Sequence, residues 1–173
     1  MASLAATGIV LCNAPAALAA VPKQAGTRSL AFEHLHTREK LRIVYAVGDT
    51  YVPEALKQLN HLLRDHHSGQ IGRMDPRLFD LLHRLKQTLG NDAPFQVISG
   101  YRCPSTNKKL RKKGGGGVAK KSLHMEGKAL DIRIAGTPLT DLRDAAKATR
   151  KGGVGFYPKD GFVHVDTGTV RSW

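Results

Sequence analysis

Two residues in the second half of the chain have the type and setting of metal ligands. Asp131 alternates with apolar residues in the run at 129–134, and His164 does so in the run at 162–167. Successive side chains of a strand point to opposite faces. Each run therefore predicts a strand that turns an apolar face towards a core and carries a metal-ligating group on the other face.

A third side chain of this kind comes within reach of the same place. His124 lies seven residues before Asp131, on a loop that leads into the same strand. If the two strands are neighbours, His124, Asp131 and His164 converge. Two imidazoles and one carboxylate fill three positions of a tetrahedral zinc ion, and the open fourth position holds the water that a hydrolase activates. The spacing alone also fits a hydrogen-bonded surface pair, so both interpretations stay open at this point.

The elements that must position these residues are predicted from hydrophobic periodicity and turn signals. Alternating runs at 30–35 and 41–47 predict a hairpin, and the spacing of leucines predicts helices at 53–66 and 76–89. We further expect a strand at 95–98, a short basic helix capped by Ser105, a third long helix from 137 to about 151, and a last hairpin at 154–167. This order predicts an α+β fold with a mainly antiparallel sheet and flanking helices.

Several runs in the chain resemble the LAS zinc metallopeptidases. They are Ser99-Gly100-Tyr101-Arg102, residues 117–131, Gly155-Phe156-Tyr157, residues 162–166 and Arg171-Ser172-Trp173. This superfamily includes D-Ala-D-Ala carboxypeptidases and murein endopeptidases, and it shares its fold with the hedgehog signalling domain. Within it the chain is most similar to the murein endopeptidase K family, from about residue 30 to Trp173.

The resemblance implies a hedgehog-like or D-Ala-D-Ala-peptidase-like fold, a metal and a reaction. By resemblance, His124, Asp131 and His164 bind Zn²⁺, and Arg102 stabilises an oxyanion or binds a substrate carboxylate. The implied reaction is hydrolysis of peptide cross-links in peptidoglycan, either between two diaminopimelate residues (the 3–3 type) or between D-Ala and diaminopimelate. Tyr101, next to Arg102, is expected to contact the substrate.

The general base is the role that the resemblance leaves open. Many relatives carry Glu or Asp three residues before the last histidine ligand, and this chain has Gly161 there. Asp166, on the same strand face as His164, is the first candidate for a catalytic base, and support of His164 is an equal alternative. Asp160 and Glu126 are the other candidates. The displaced base also favours a second interpretation, a catalytically inactive, zinc-containing module that binds peptidoglycan.

The charge of the chain indicates an anionic partner. The chain has 27 Lys and Arg against 14 Asp and Glu, a net charge of +13. Basic residues flank the glycine run at 114–117, and Lys120 and Lys121 among them are expected to attract the free carboxylates of murein stems. A solvated, mobile loop is the alternative. Nucleic acid is not expected as a partner, because no aromatic residue interleaves with this basic run.

The first 22 residues contain no charged side chain and predict an export signal. Residues 4–18 are apolar or small, and Ala17-Leu18-Ala19 has the small-x-small form of a signal-peptidase site. Because a secretory signal starts with Lys or Arg, we expect a basic n-region upstream of Met1. The prediction is a signal peptide at 1–20, a flexible lead at 21–28 and a zinc peptidase domain at 29–173. We expect a periplasmic monomer that does not contact the membrane after cleavage.

Overall fold

The computed structural model describes residues 26–113 and 118–173. The predicted signal peptide and the glycine run at 114–117 lie outside the described residues. The described residues form eight strands, four α-helices and one short 3₁₀ helix. In chain order these are β1 (Thr27–His34), β2 (Lys40–Val47), β3 (Thr50–Tyr51), α1 (Pro53–Leu62), α2 (Pro76–Leu89), β4 (Phe95–Ser99), α3 (Pro104–Lys112), the 3₁₀ helix (Leu123–Glu126), β5 (Ala129–Ile134), α4 (Leu139–Ala148), β6 (Gly153–Tyr157), β7 (Phe162–Asp166) and β8 (Arg171–Ser172).

The strands join in one mixed sheet with the order β3-β2-β1-β4-β5-β7-β6-β8. Within the described residues, five neighbouring pairs are antiparallel, whereas β1 with β4 and β6 with β8 are parallel. The predicted α+β class is confirmed, and the sheet is mixed with antiparallel pairs in the majority. The likeness to the hedgehog domain stays a prediction.

Helices α1, α2 and α4 pack against the sheet and enclose a hydrophobic core. The apolar faces of β5 and β7 enter this core through Leu130, Ile132, Val163 and Val165, all fully buried. A slip of one residue in either strand would turn its polar groups into the core. Burial of these four side chains therefore fixes which way the candidate metal ligands point. No helix among the described residues has the length and apolar character to cross a membrane.

Two helices end earlier than the spacing of apolar residues predicts. Helix α1 ends at Leu62, and the Asp65 carboxylate then accepts a hydrogen bond from the backbone N–H of His67, which turns the chain. Helix α4 ends at Ala148, and Arg150 adopts a left-handed conformation with φ of 49°. Local hydrogen bonds and backbone turns end these helices, so the apolar pattern alone overestimates their length.

Other boundaries also differ from those predicted. Strand β1 begins at Thr27, inside the expected flexible lead at 21–28, because Thr27 pairs with Val47 across the hairpin. Helix α3 begins at Pro104, and Cys103 takes the N-cap position that we assigned to Ser105. Strands β3 and β8 and the 3₁₀ helix were not predicted, since elements of two to four residues contain no measurable periodicity.

Gly127 ends the 3₁₀ helix and connects it to β5. Its φ is 66°, and a Cβ there would lie 2.0 Å from the carbonyl oxygen of Arg73. Its own carbonyl accepts a hydrogen bond from the backbone N–H of Asp75 at 2.9 Å. The close approach of these two backbone segments therefore requires a glycine, and it sets the position of His124 on the 3₁₀ helix.

We predict that Gly127→Ala lowers the free energy of unfolding by considerably more than Gly90→Ala does. Gly90 has a similar φ of 60° but no atom within 4 Å of the site of a Cβ. Gly90→Ala should therefore cost only the left-handed strain, about 1–2 kcal/mol, whereas Gly127→Ala adds a backbone clash. Urea unfolding of both variants measures the difference. Equal losses would show that the contact with Arg73 relaxes without cost.

Candidate metal centre

Strands β5 and β7 place an aspartate and a histidine side by side. In their antiparallel pairing Asp131 lies directly opposite His164. His124 lies in the 3₁₀ helix that precedes β5. The three side chains are at most 12% exposed. The structure therefore brings together the three residues that the sequence singles out, and we call them the candidate metal cluster.

One nitrogen of each imidazole faces the Asp131 carboxylate. His124 Nε2 lies 3.3 Å and His164 Nδ1 lies 2.9 Å from Asp131 Oδ1. The two nitrogens are 3.2 Å apart. Three potential ligand atoms thus form a small triangle within the cluster.

The remaining nitrogen of each imidazole has a partner outside the triangle. His124 Nδ1 lies 2.7 Å from the carbonyl oxygen of Gly100, and His164 Nε2 lies 3.2 Å from Asp166 Oδ2. A carbonyl or a carboxylate oxygen can only accept, so each outer nitrogen can donate its N–H to its partner, and a neutral imidazole has one N–H. In that tautomer the two nitrogens in the triangle present their lone pairs towards each other and towards Asp131. Three acceptors this close repel one another unless a cation, either a metal ion or a proton on His164, lies between them.

The triangle fits a zinc ion. Zinc–ligand bonds of 2.0–2.1 Å in a tetrahedron place neighbouring ligand atoms about 3.3 Å apart. The observed separations of 2.9, 3.2 and 3.3 Å are close to that value. Among the described residues, this is the one group of three His, Cys, Asp or Glu side chains arranged to hold a metal ion. Three protein ligands also leave one position free, as in catalytic zinc sites.

The pKa values of the cluster reflect the same contacts. Burial alone would raise the pKa of Asp131, but His124 and His164 lower it well below its usual range. Burial alone would lower the pKa of His164, but hydrogen bonds to Asp131 and Asp166 raise it. Without a metal, the site therefore favours a proton on His164. A metal ion must displace that proton, so acid weakens metal binding.

Arg102 is held beside the cluster. Its Nη2 lies 3.8 Å from Asp131 Oδ2 and donates to Ser99 Oγ at 3.3 Å, and its Nη1 donates to Asn107 Oδ1 at 3.5 Å. Its backbone N–H donates to the carbonyl oxygen of His124 at 3.1 Å. The side chain is 12% exposed. These contacts fix a positive charge next to the candidate metal ligands before any substrate arrives.

Two cavities, each of about 260 Å³, meet at the cluster. Arg102, Asp131 and Phe162 line both of them. The first cavity is further lined by Lys121, Tyr157, Asp160 and Trp173, and the second by His36, His66, His67 and Tyr101. The cluster therefore lies at the junction of a cleft with two arms.

Comparison with known proteins assigns the family. A peptidase family M15 profile described as peptidoglycan L,D-endopeptidase MepK matches residues 22–173. The chain belongs to this family. It is 47% identical over 146 residues to the peptidoglycan L,D-endopeptidase MepK of Escherichia coli strain K12. This alignment covers 84% of the chain and 80% of that protein. It is 42% identical over 165 residues to a probable peptidoglycan L,D-endopeptidase MepK of Haemophilus influenzae. That alignment covers 95% of the chain and 87% of the relative.

The chain is therefore a peptidase, and its resemblance to the LAS-type peptidases is confirmed. In this member of the MepK family, the carboxylates considered for the base role occupy very different places. Asp160 is exposed and lines the first cavity. Glu126 forms an ion pair with Lys128 at 2.7 Å and lines neither cavity. Asp160 is thus the candidate that the cleft can reach directly.

Asp166 lies behind His164 rather than in the cleft. It is fully buried, and Oδ1 accepts hydrogen bonds from the backbone N–H groups of Gly153 at 2.9 Å and Gly168 at 2.8 Å. Arg171 Nη2 donates to Oδ2 at 2.7 Å. Burial alone would raise the pKa of Asp166, but the hydrogen bonds from His164, the two backbone groups and Arg171 lower it well below its usual range. This placement departs from the base role expected of Asp166 and agrees with support of His164.

The three residues expected to contact substrate are not equally placed. Lys121 lines the first cavity. Tyr101 lines the second cavity. Its ring packs closely on Gly72, and a Cβ at Gly72 would lie 2.2 Å from Cδ2 of Tyr101. Lys120 is exposed and lines neither cavity. One of the three expected residues therefore lines each arm of the cleft, and the substrate role of all three stays a prediction.

Among the residues of the first cavity to which the sequence assigns no role are three from the C-terminal part of the chain. Tyr157, Arg171 and Trp173 belong to the runs that carry the family resemblance, but nothing in their spacing places them near a histidine. They reach the site because β6 lies between β7 and β8. The sequence did not place these residues at the site, because the order of the strands in a sheet cannot be predicted from local patterns.

We predict that the purified protein binds about one zinc ion per chain and that His124→Ala loses it. Removal of one of three ligands leaves two protein ligands, fewer than catalytic zinc sites have. Elemental analysis after dialysis measures the metal, and circular dichroism checks the fold. His61→Ala is the matched control, because His61 is exposed and outside both cavities. Full zinc content in His124→Ala would contradict the assignment.

Proposed function

We propose that the protein is a zinc-dependent endopeptidase that hydrolyses peptide cross-links of peptidoglycan. The main expected substrate is the 3–3 link between two diaminopimelate residues, with the D-Ala–diaminopimelate link as a second. The observation that carries this proposal is the cluster of three convergent acceptors, open to a cleft and flanked by a fixed arginine. Relatives named peptidoglycan L,D-endopeptidases support the substrate. Such a substrate is found in the periplasm, and we propose that the chain acts there as a monomer.

Residues His124, Asp131 and His164 would hold the metal. When bound, zinc supplies a water with a pKa near 7 and polarises the scissile carbonyl. Arg102 faces the same cleft, with its guanidinium fixed by Ser99 and Asn107. We propose that it stabilises the negative charge that develops on the carbonyl oxygen. Because its partners already hold it, little reorganisation is needed as that charge forms.

The proton of the attacking water must pass to a base, and the leaving amine must receive one. Asp160 is the proposed base, because it lines the first cavity and makes no hydrogen bond or ion pair within the described residues. Asp166 is proposed as a positioning residue. It accepts the Nε2 proton of His164 and so keeps the Nδ1 lone pair directed towards the metal.

The shape and charge of the cleft suit a cross-linked polymer. A cross-link joins two peptide stems, and the two cavities offer one arm on each side of the cluster. The net charge of +13 attracts stems that carry free carboxylates. A catalytically inactive module that binds peptidoglycan is the second candidate function, favoured by Gly161 at the position where many relatives carry the base.

We predict that the purified protein converts 3–3 cross-linked muropeptides to monomers. Chromatography of muropeptides before and after digestion measures the products. Chelation of the metal and His124→Ala should each abolish conversion, whereas His61→Ala should retain it. Activity that survives exhaustive chelation would contradict the proposal. Binding of the zinc-loaded protein to intact sacculi without any product would establish the inactive module instead.

We predict that Asp166→Asn weakens zinc binding about 10–100-fold, because its effect is transmitted through His164. Asp160→Asn, the matched comparison, should keep zinc affinity and lower kcat instead. Competition with a zinc chelator measures affinity, and steady-state kinetics measures kcat at saturating zinc. Normal zinc affinity with a large loss of kcat in Asp166→Asn would return the base role to Asp166. A normal kcat in Asp160→Asn would remove that role from Asp160.

A further inference from the structure

An exposed indole lies beside the candidate metal cluster. Trp173 is 51% exposed and lines the first cavity. Its ring centroid lies 5.4 Å from that of His164. Large apolar side chains are exposed at few places in the described part of the chain, and this one is at the site. An apolar surface left open next to the reacting centre indicates contact with a ligand.

Several contacts hold the indole in place. Its Nε1–H donates to the hydroxyl of Tyr157 at 2.7 Å, and the guanidinium of Arg171 lies 4.9 Å from the ring centroid. The backbone N–H of Trp173 donates to the carbonyl of Val154, and its carbonyl accepts from the N–H of Phe156. A ring that is already fixed loses little conformational freedom when a ligand packs on it.

Gly155 makes room for both aromatic rings. It pairs with His164 on the neighbouring strand. A Cβ at Gly155 would lie 2.8 Å from Cε2 of Trp173 and 2.8 Å from Cε2 of Tyr157. The rings therefore occupy the space that any other side chain would fill. The absence of a side chain at one position thus allows a continuous aromatic wall next to a candidate metal ligand.

We propose that Trp173 and Tyr157 form a subsite for the aliphatic side chain of the amino acid next to the scissile bond, with Lys121 binding the carboxylate at its end. Lys121 lines the same cavity. Diaminopimelate has this chemistry, since three methylene groups lead to a carbon that bears a carboxylate. The inference rests on the proposed function, and it identifies the part of the substrate that this arm of the cleft recognises.

The position of the wall favours a peptide over a sugar. When the scissile carbonyl lies at the cluster, a group that contacts Trp173 must belong to a residue adjacent to that bond. In murein, two amino acids separate the third stem residue from the nearest sugar. Two extended residues span about 7 Å, which is longer than the distance of 5.4 Å between the rings of Trp173 and His164.

The chain contains one tryptophan, so the fluorescence of the wild-type protein reports on this subsite directly. The tripeptide L-Ala–γ-D-Glu–meso-diaminopimelate should change the emission saturably. The same tripeptide with alanine as its third residue, and the murein disaccharide alone, should leave it unchanged. This measurement requires no hydrolysis, so its outcome is independent of the proposed reaction. A response to the disaccharide but not to the tripeptide would overturn the subsite.

Kinetics of variants provide the second test. Trp173→Ala and Gly155→Ala should each raise KM for a 3–3 cross-linked muropeptide about tenfold, with kcat within about twofold and zinc content unchanged. Val47→Ala is the control, because Val47 is also about half exposed (52%) but lies on β2, outside both cavities. An unchanged KM in both variants would overturn the proposal. If no hydrolysis occurs, the dissociation constant of the tripeptide replaces KM in the same comparison.

Discussion

Three potential ligand atoms, from His124, Asp131 and His164, converge on one point in a buried site. When each imidazole gives its N–H to its outer partner, the other two nitrogens and Asp131 face one another with lone pairs. Such an arrangement is unfavourable in a buried site unless a cation occupies it. The fold therefore has to hold the outer partners, Gly100 and Asp166, as firmly as the cluster itself.

Gly100 is held by the end of helix α1. A Cβ at Gly100 would lie 2.4 Å from the carbonyl oxygen of Leu63, and that same oxygen accepts a hydrogen bond from the backbone N–H of Tyr101 at 2.7 Å. The close packing of this strand end against α1 orients the Gly100 carbonyl towards His124. The end of a helix with no residue in the cluster thus positions the carbonyl that faces Nδ1 of His124.

The sequence predicts which side chains share a face of each strand, but it does not predict which strands lie side by side. Alternation of apolar and polar residues is a property of each strand, so it correctly placed Asp131 and His164 on polar faces and their neighbours in the core. The partnership of Asp166 with Arg171 depends instead on a two-residue strand in parallel pairing with β6. No periodicity marks such a strand. Asp166 could therefore be recognised as a group near His164, but not as one that faces away from the cleft.

Arg171 connects Asp166, the partner of His164, to the aromatic wall formed by Trp173 and Tyr157. A buried carboxylate is stable only when it is paired, and Arg171 supplies the charge that pairs with Asp166. The same guanidinium lies over the ring of Trp173. Arg171 thus holds His164 through Asp166, and it holds the aromatic wall through its contact with Trp173. Because the contacts share Arg171, the effects of substitutions at Asp166 and Trp173 will not add independently. The orientation of His164 and the position of the aromatic wall are therefore coupled through Arg171, which itself lines the first cavity.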